Sequence, residues 1–268
     1  MTPSEARPPM IDASVPQSAR VWNYWTGGKD YYPADKAVAD EILETNPHVL
    51  EIARAARDFL RRAITRLVHE HGVRQFLCVG SELPTAQDVH VIAQAAAPES
   101  RVVYVADDPL VLAHARALLV GTAEGATGYV GADIRETGRI VREAARTLDL
   151  SRPVALVLAG VLAHVTDDGE ARVLVAELMA ALAPGSLLVV SDDTDVIHPE
   201  EMDAMVRRWN ASGGSPRVNR TPERLAAFFE GLELLEPGVV SCPRWRPDPT
   251  EVGSVNDVDE HCGVGRKP

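Results

Sequence analysis

From residue 75 onward the chain alternates short apolar runs with stretches of helical periodicity, and no other feature narrows its fold as far. The runs QFLCVG, RVVYVA, TGYVGA, PVALVLAG and SLLVVSD are separated by helical segments near residues 86–97, 109–119, 135–148 and 167–182. Each run is apolar on both faces rather than alternately, which predicts strands covered from two sides. Strands of that kind with helices between them form a mostly parallel, doubly wound α/β sheet. Ligands of such sheets bind beyond the carboxyl ends of the strands, where the strand order reverses. That rule selects Gly80 to Glu82, Ala106 to Asp108, Asp133 and Gly160 to His164.

The first 72 residues read differently. Residues 1–18 are rich in Pro and Ser and predict a flexible arm. Residues 19–72 predict a helical lid, with one helix from about Pro33 and a longer one after Asn46, where Asn followed by Pro reads as a cap and a first-turn proline. In the longer helix Ala56, Phe59, Leu60, Ala63, Ile64 and Leu67 recur at spacings of three and four. This buries one face and turns Arg57, Arg61, Arg62 and Arg66 mostly outward. Residues 73–268 make the α/β domain, closed by helices near 199–210 and 221–230 and an antiparallel pair of strands at the sheet edge.

Composition removes several function classes. A formal charge of −12, with no dense run of Lys or Arg, opposes a phosphate backbone, so nucleic acid is not an expected partner. No apolar run approaches the roughly 20 residues of a membrane span, and the amino terminus lacks the apolar centre of a signal peptide, so a cytoplasmic protein is expected. Cys78, Cys242 and Cys262 are far apart without paired metal spacing, which predicts reduced thiols and no metal. The expected partner is a small molecule, with a homodimer as the assembly allowed for. CVGSEL lacks the second and third glycines of the dinucleotide fingerprint, which argues against a nicotinamide-dependent oxidoreductase.

Several segments are more specific. ARVWNYWTGGKDYYPADKAVADEI, LPTAQDVHVIAQAAAPESRVVYVADDPLVLAHARALL, SRPVALVLAGVLAHVTDD, LAPGSLLVVS and FFEGLELLEPGVVSCPRWRPD together resemble the bacterial S-adenosyl methyltransferase family, whose substrates are largely unassigned. The resemblance runs from about residue 11 to the carboxyl terminus. It implies a Rossmann-like class I methyltransferase fold with a seven-stranded sheet and S-adenosylmethionine (SAM) as cofactor. It also exposes departures. Where the family reads Asp-Ile-Gly-Thr-Gly-Leu-Pro-Thr, this chain has Cys78 in place of the acid and Glu82 in place of the second glycine. The acid that receives the ribose hydroxyls stands as Ala106 or has moved to Asp107, and the first of two histidines after the fourth strand is Ala163. Two uncompensated losses of hydrogen bonds to charged groups would cost about 3 to 6 kcal/mol.

The candidate cofactor residues are therefore Gly80, Ser81, Glu82, Asp107, Asp133, Ile134 and Gly160, with Asp133 matching the family's contact to the adenine amino group. Asp108 before Pro109 reads as a helix cap, and Thr166, Asp167 and Asp168 as the cap of the helix that follows. His164 is the candidate general base for the acceptor, with structural hydrogen bonding as its plainer role. More than half of the Trp and Tyr residues fall in residues 22–32. That cluster reads as a lid over the cofactor or as an anchor for the arm. The substrate-side candidates are Arg20, Tyr24, Trp25, Lys29, Asp30, Tyr32 and Trp245, the last in an exposed-looking Arg-Trp-Arg trio. The altered positions 78, 82, 106 and 163 also admit a second reading, in which the fold is repurposed for a non-methylating cyclisation or rearrangement, or for ligand binding, with SAM lost or structural.

Overall fold

The structure, a computed structural model, describes residues 11–80, 83, 88–118, 121–248 and 256–268. Three helices open the chain: α1 (Ser18–Trp25), α2 (Pro33–Thr45) and α3 (Val49–Glu70). The α/β alternation then runs β1 (Gln75–Val79), α4 (Val89–Ala96), β2 (Arg101–Ala106), α5 (Pro109–Leu118), β3 (Ala126–Gly131), α6 (Thr137–Ala144), β4 (Ala155–Ala159), α7 (Asp168–Ala180) and β5 (Leu187–Asp193). It closes with α8 (Pro199–Ala211), α9 (Pro222–Ala226), β6 (Glu233–Leu234), β7 (Val240–Ser241) and β8 (Glu260–Arg266).

All five apolar runs are strands, and every residue of β1 and β5 is buried, as expected for strands covered on both faces. The sheet order is β3-β2-β1-β4-β5-β8-β6, with β7 also on β8. β1 to β5 pair in parallel and β8 runs antiparallel to β5. The two-residue strands β6 and β7 both pair with β8, at Gly265–Arg266 and His261–Cys262, so together they fill one edge position and the sheet is seven positions wide. Strand order reverses between β1 and β4, where a doubly wound sheet opens a crevice.

The helices α1 to α3 are not a separate body. Val21, Ile42, Phe59, Ile64 and Leu67 share one apolar cluster with Phe76, Val102, Val157 and Val189 of the sheet, while Ile140, Leu174 and Leu178 cover the opposite face. Two local expectations shift. The long helix begins at Val49 with His48 as its flanking residue; Asn46 instead accepts the His48 N–H at 3.1 Å, one turn earlier. Arg62 does not look outward: it is buried, and its guanidinium donates to the carbonyls of Trp245 (3.2 Å) and Cys242 (2.8 Å). A helical stripe calculation assigns that position by its angle alone. The buried carbonyls that recruit it come from a segment about 180 residues later.

Candidate functional site

A cleft lies over the carboxyl ends of the parallel strands, bounded by Gly80, Asp107, Asp133, Gly160, Ser191 and Glu260 from the sheet and by Ala19, Trp22 and Arg57 from α1 and α3. Its centre is built by two glycine turns. The Gly80 N–H donates to Val105 O at 3.0 Å and the Gly160 N–H to Ser191 O at 2.8 Å, which ties each turn to the neighbouring strand. Both glycines have positive φ, 82° and 70°, a region that side chains disfavour. Their reasons for being glycine differ. A Cβ on Gly80 would stand 2.3 Å from Cβ of Val161, so the two turns pack backbone against side chain there. A Cβ on Gly160 would meet no atom within 4 Å, so that backbone faces open space.

At the β2–β3 end, Asp107 and Asp108 both border the cleft, and Asp108 also receives the Leu110 N–H at 2.8 Å, the capping role expected of it. Asp107 is reached by solvent yet ringed by protein. That partial desolvation, followed by the charges of Asp133 and Asp108, holds its pKa above the ordinary carboxylate range. Asp133 receives the Arg135 N–H at 2.8 Å, and its own N–H goes to Glu136 at 3.1 Å, a closed turn that presents Ile134 to the cleft.

His164 lies on the helical turn Leu162–His164 after β4. Its Nδ1 is 3.2 Å from the carbonyl oxygens of both Ser215 and Pro216, which assigns the hydrogen to Nδ1 and the lone pair to Nε2. Burial first, then the charge of Arg217, lowers its pKa to about 4. The ring is thus neutral at physiological pH and a weak proton acceptor.

At the β5–β8 end the wall is charged and dry. Ser191 and Asp193, two apart on β5, face the cleft, and Asp192 between them points to the other side. Asp193 is paired with Arg217 and stands opposite Glu260 in the β5–β8 register. Burial, then the Asp193 charge, holds the Glu260 carboxyl well above its usual range; the same two causes raise Asp192 to about 7. Behind them Arg220, fully buried, donates to Leu162 O at 2.6 Å and pairs with Asp168 at 2.9 Å, with Asp192 at 3.9 Å. Asp167, as expected, caps α7 by accepting the Glu170 N–H, whereas Asp168 is taken up by Arg220 and Arg224.

The expected lid residues sit mostly behind the cleft wall. Arg20 is 1% exposed, with Nε 3.5 Å from Asp35 and 3.4 Å from Asp108 and its guanidinium donating to Val15 O at 3.0 Å. Tyr24 donates to Asp40, Trp25 to Ala39 O, and Tyr32 lies against the Arg20 guanidinium. Asp30 is 3.6 Å from His114, and neither it nor the exposed Lys29 lines the cleft. Trp245 is the clearest correction: it is 1% exposed and packs edge-on against Phe59 at 5.3 Å, because the turn that carries it is drawn inward by Arg62. Of the aromatic cluster, Trp22 reaches the cleft, with Gln17, Ser18 and Ala19 beside it.

Ser81 and Glu82 lie outside the described residues. Cys78, where the resemblance places an acid, belongs to the buried cluster of the sheet; burial, then the Asp88 charge, raises its thiol pKa. Sequence reasoning missed Ser191, Asp193, Arg217 and Glu260. A signal existed for the first two, since SDD ends an apolar strand and the strand-end rule applied to β5 as to the others. None existed for Arg217 and Glu260, which arrive from a loop and from the antiparallel return strand.

The chain matches the model of a family described as S-adenosyl methyltransferase over residues 4–268. A DUF574 family protein from Streptomyces avermitilis MA-4680, known from its crystal structure, is 41% identical, with 97% of this chain and 100% of that chain covered and a TM-score of 0.92. A protein of Thermobifida fusca YX, provisionally named a methyltransferase, is 37% identical over 98% of this chain and 99% of its own, with a TM-score of 0.85. The plantazolicin methyltransferase, solved with S-adenosylhomocysteine (SAH), is 11% identical, covers 93% of this chain and 95% of its own at a TM-score of 0.50, and shares the fold alone. No curated protein matches the chain.

Proposed function

This chain belongs to the S-adenosyl methyltransferase family, and from that premise we propose that it methylates an oxygen or nitrogen of a small-molecule acceptor held in the cleft. The observation that carries the reading is that the open backbone of Gly160 and the accessible carboxylate of Asp107 line one cleft, which spans the strand-order reversal of the sheet. Those residues fit a nucleoside with an attached amino acid. The open backbone at Gly160 lets a ligand approach the main chain, Gly80 seats Val161 beside it, Asp107 receives ribose hydroxyls, and Asp133 and Ile134 flank the adenine. When bound, SAM supplies a methyl carbon on a positively charged sulfur, open to in-line attack by a lone pair.

The remaining work falls to orientation and exclusion of water. Trp22, Ala19 and Leu60 form a largely apolar roof on the side of the cleft away from the sheet. His164, held by two carbonyls, orients and does not titrate near neutral pH. Calorimetric titration with SAM and with SAH tests the reading. Affinity on the order of micromolar for either ligand, weakened in Asp107→Ala, is the expected result. An absence of binding up to millimolar ligand would transfer the chain to the repurposed-fold reading.

A further inference from the structure

The charged wall at the β5–β8 end has a balance that the cofactor leaves unused. Ser191, Asp193, Arg217 and Glu260 are 1%, 3%, 5% and 3% exposed, and all four line the cleft. Ser191 Oγ, Asp193 Oδ1 and Arg217 Nε have no hydrogen-bond donor or acceptor among the described residues apart from the carboxyl of Glu260, which abuts Asp193. Buried polar atoms left in that state are costly unless something completes them. The charges also fall short by one. Asp168, Asp192, Asp193 and Glu260 face three guanidiniums, Arg217, Arg220 and Arg224, so the group is neutral only when one carboxyl holds a proton. The other groups that face it are uncharged or held elsewhere: neutral His164, the buried thiols of Cys242 and Cys262, and Arg62, which is bound to two carbonyls.

We propose that this wall is the acceptor subsite and that it takes a primary or secondary amine with a hydroxyl or carbonyl on the neighbouring carbon. The inference rests on the methyltransferase reading above and deepens it by naming the acceptor class. The ammonium group sits between Asp193 and Glu260 and replaces the proton that Glu260 holds, which leaves to solvent, so the net charge of the wall is unchanged. The neighbouring oxygen accepts from Arg217 Nε–H and Ser191 Oγ–H. The same carboxyl pair then receives the one proton that the ammonium must shed to expose its lone pair, a task that His164 is too weak a base to perform. A neutral alcohol satisfies the hydrogen bonds and displaces no proton, and that difference is what discriminates between the two acceptor chemistries.

The test uses the full chain in unbuffered solution held at neutral pH by a pH-stat, with 2-aminoethanol and ethane-1,2-diol as probes. The amine is expected to bind at least tenfold more tightly than the diol and to release about one proton per molecule bound, with or without SAH. Glu260→Gln is expected to abolish proton release and weaken the amine at least tenfold while leaving the diol unchanged. Equal binding of the two probes, no binding of the amine, or amine binding without proton release overturns the subsite. The wild-type proton count decides the matter even where Glu260→Gln does not fold. SAH binding, read separately in the same preparation, reports on the methyltransferase reading: its failure alongside normal proton release sinks that reading and leaves the cation site standing.

Discussion

The two ends of the cleft solve opposite problems. At the β2–β3 end the carboxylates of Asp107 and Asp133 stand on short turns in reach of water, tied down by their own backbone. At the β5–β8 end Asp193 and Glu260 are buried, and their neighbours rather than solvent must neutralise them. A carboxylate on a wet turn is available to any ligand with hydroxyl groups and leaves the fold indifferent to its loss. A carboxylate in the dry wall is bound up with stability, so the chemistry it can perform is fixed by the count of surrounding charges. The first end can meet a ligand's hydroxyl groups from water, and the second admits only a ligand that keeps the charge count closed.

The largest effect that would break this contrast is on Arg217→Ala. Removing it leaves Asp193 buried without its partner, and urea denaturation should show a loss of about 3–5 kcal/mol; a loss below 1 kcal/mol would mean that the wall is wetter than its burial indicates. Next comes Asp107→Ala, expected to weaken SAH by about 1.5–3 kcal/mol in calorimetry while leaving the denaturation midpoint in place. A fall in stability with unaltered binding would exchange the roles of the two ends. The glycine pair sharpens the middle of the cleft. Gly80→Ala should destabilise by about 1–3 kcal/mol through the clash with Val161, whereas Gly160→Ala should act mainly on ligand affinity, a split that thermal melts with and without SAH would resolve.

The smallest effect is in pH dependence, and it separates two partners of one arginine. Asp192 is raised to about 7 by burial and then Asp193, so between the ordinary carboxylate value of 3.8 and that value the folded state holds more protons than the unfolded state. Its contribution therefore falls as pH rises through that window. Asp168 is lowered to about 2 by Arg224 and Arg220, against a partial burial penalty, so its contribution is present above 3.8 and is lost as pH falls toward 2. Asp192→Asn should flatten the slope of stability between weakly acid and neutral pH, and Asp168→Asn should not. Denaturation midpoints at a series of pH values read both.

How much of this was legible follows the same division. The strands, their parallel order and the turn residues Gly80, Asp107, Asp133 and Gly160 depend on local pattern, and the pattern sufficed. The cap at Asp108 and that at Asp167 were equally local. What escaped was set by distant chain: Arg62 is held by carbonyls at 242 and 245, Trp245 is pulled into the core with them, and Glu260 meets Asp193 only through an antiparallel pairing across 67 positions. The aromatic cluster was undecided for a related reason. Composition leaves lid and anchor both open for its rings, and α1 divides them, turning Trp22 toward the cleft and spending Tyr24 and Trp25 on hydrogen bonds to α2. Periodicity identifies which face of a helix is apolar and is silent on which neighbour that face will find.

Arg20 carries a last consequence, for motion rather than for binding. It fastens α1 to α2 through Asp35 and to the end of β2 through Asp108, in a place water does not reach. Swinging α1 aside would strip one guanidinium of two carboxylates at once, so the roof of the cleft opens only with a large share of the global unfolding event. Amide hydrogens in α1, a helix of eight residues near one end of the chain, should then exchange with deuterium on the timescale of the central strands rather than on that of a fraying terminus, and Arg20→Met should return them to the faster class.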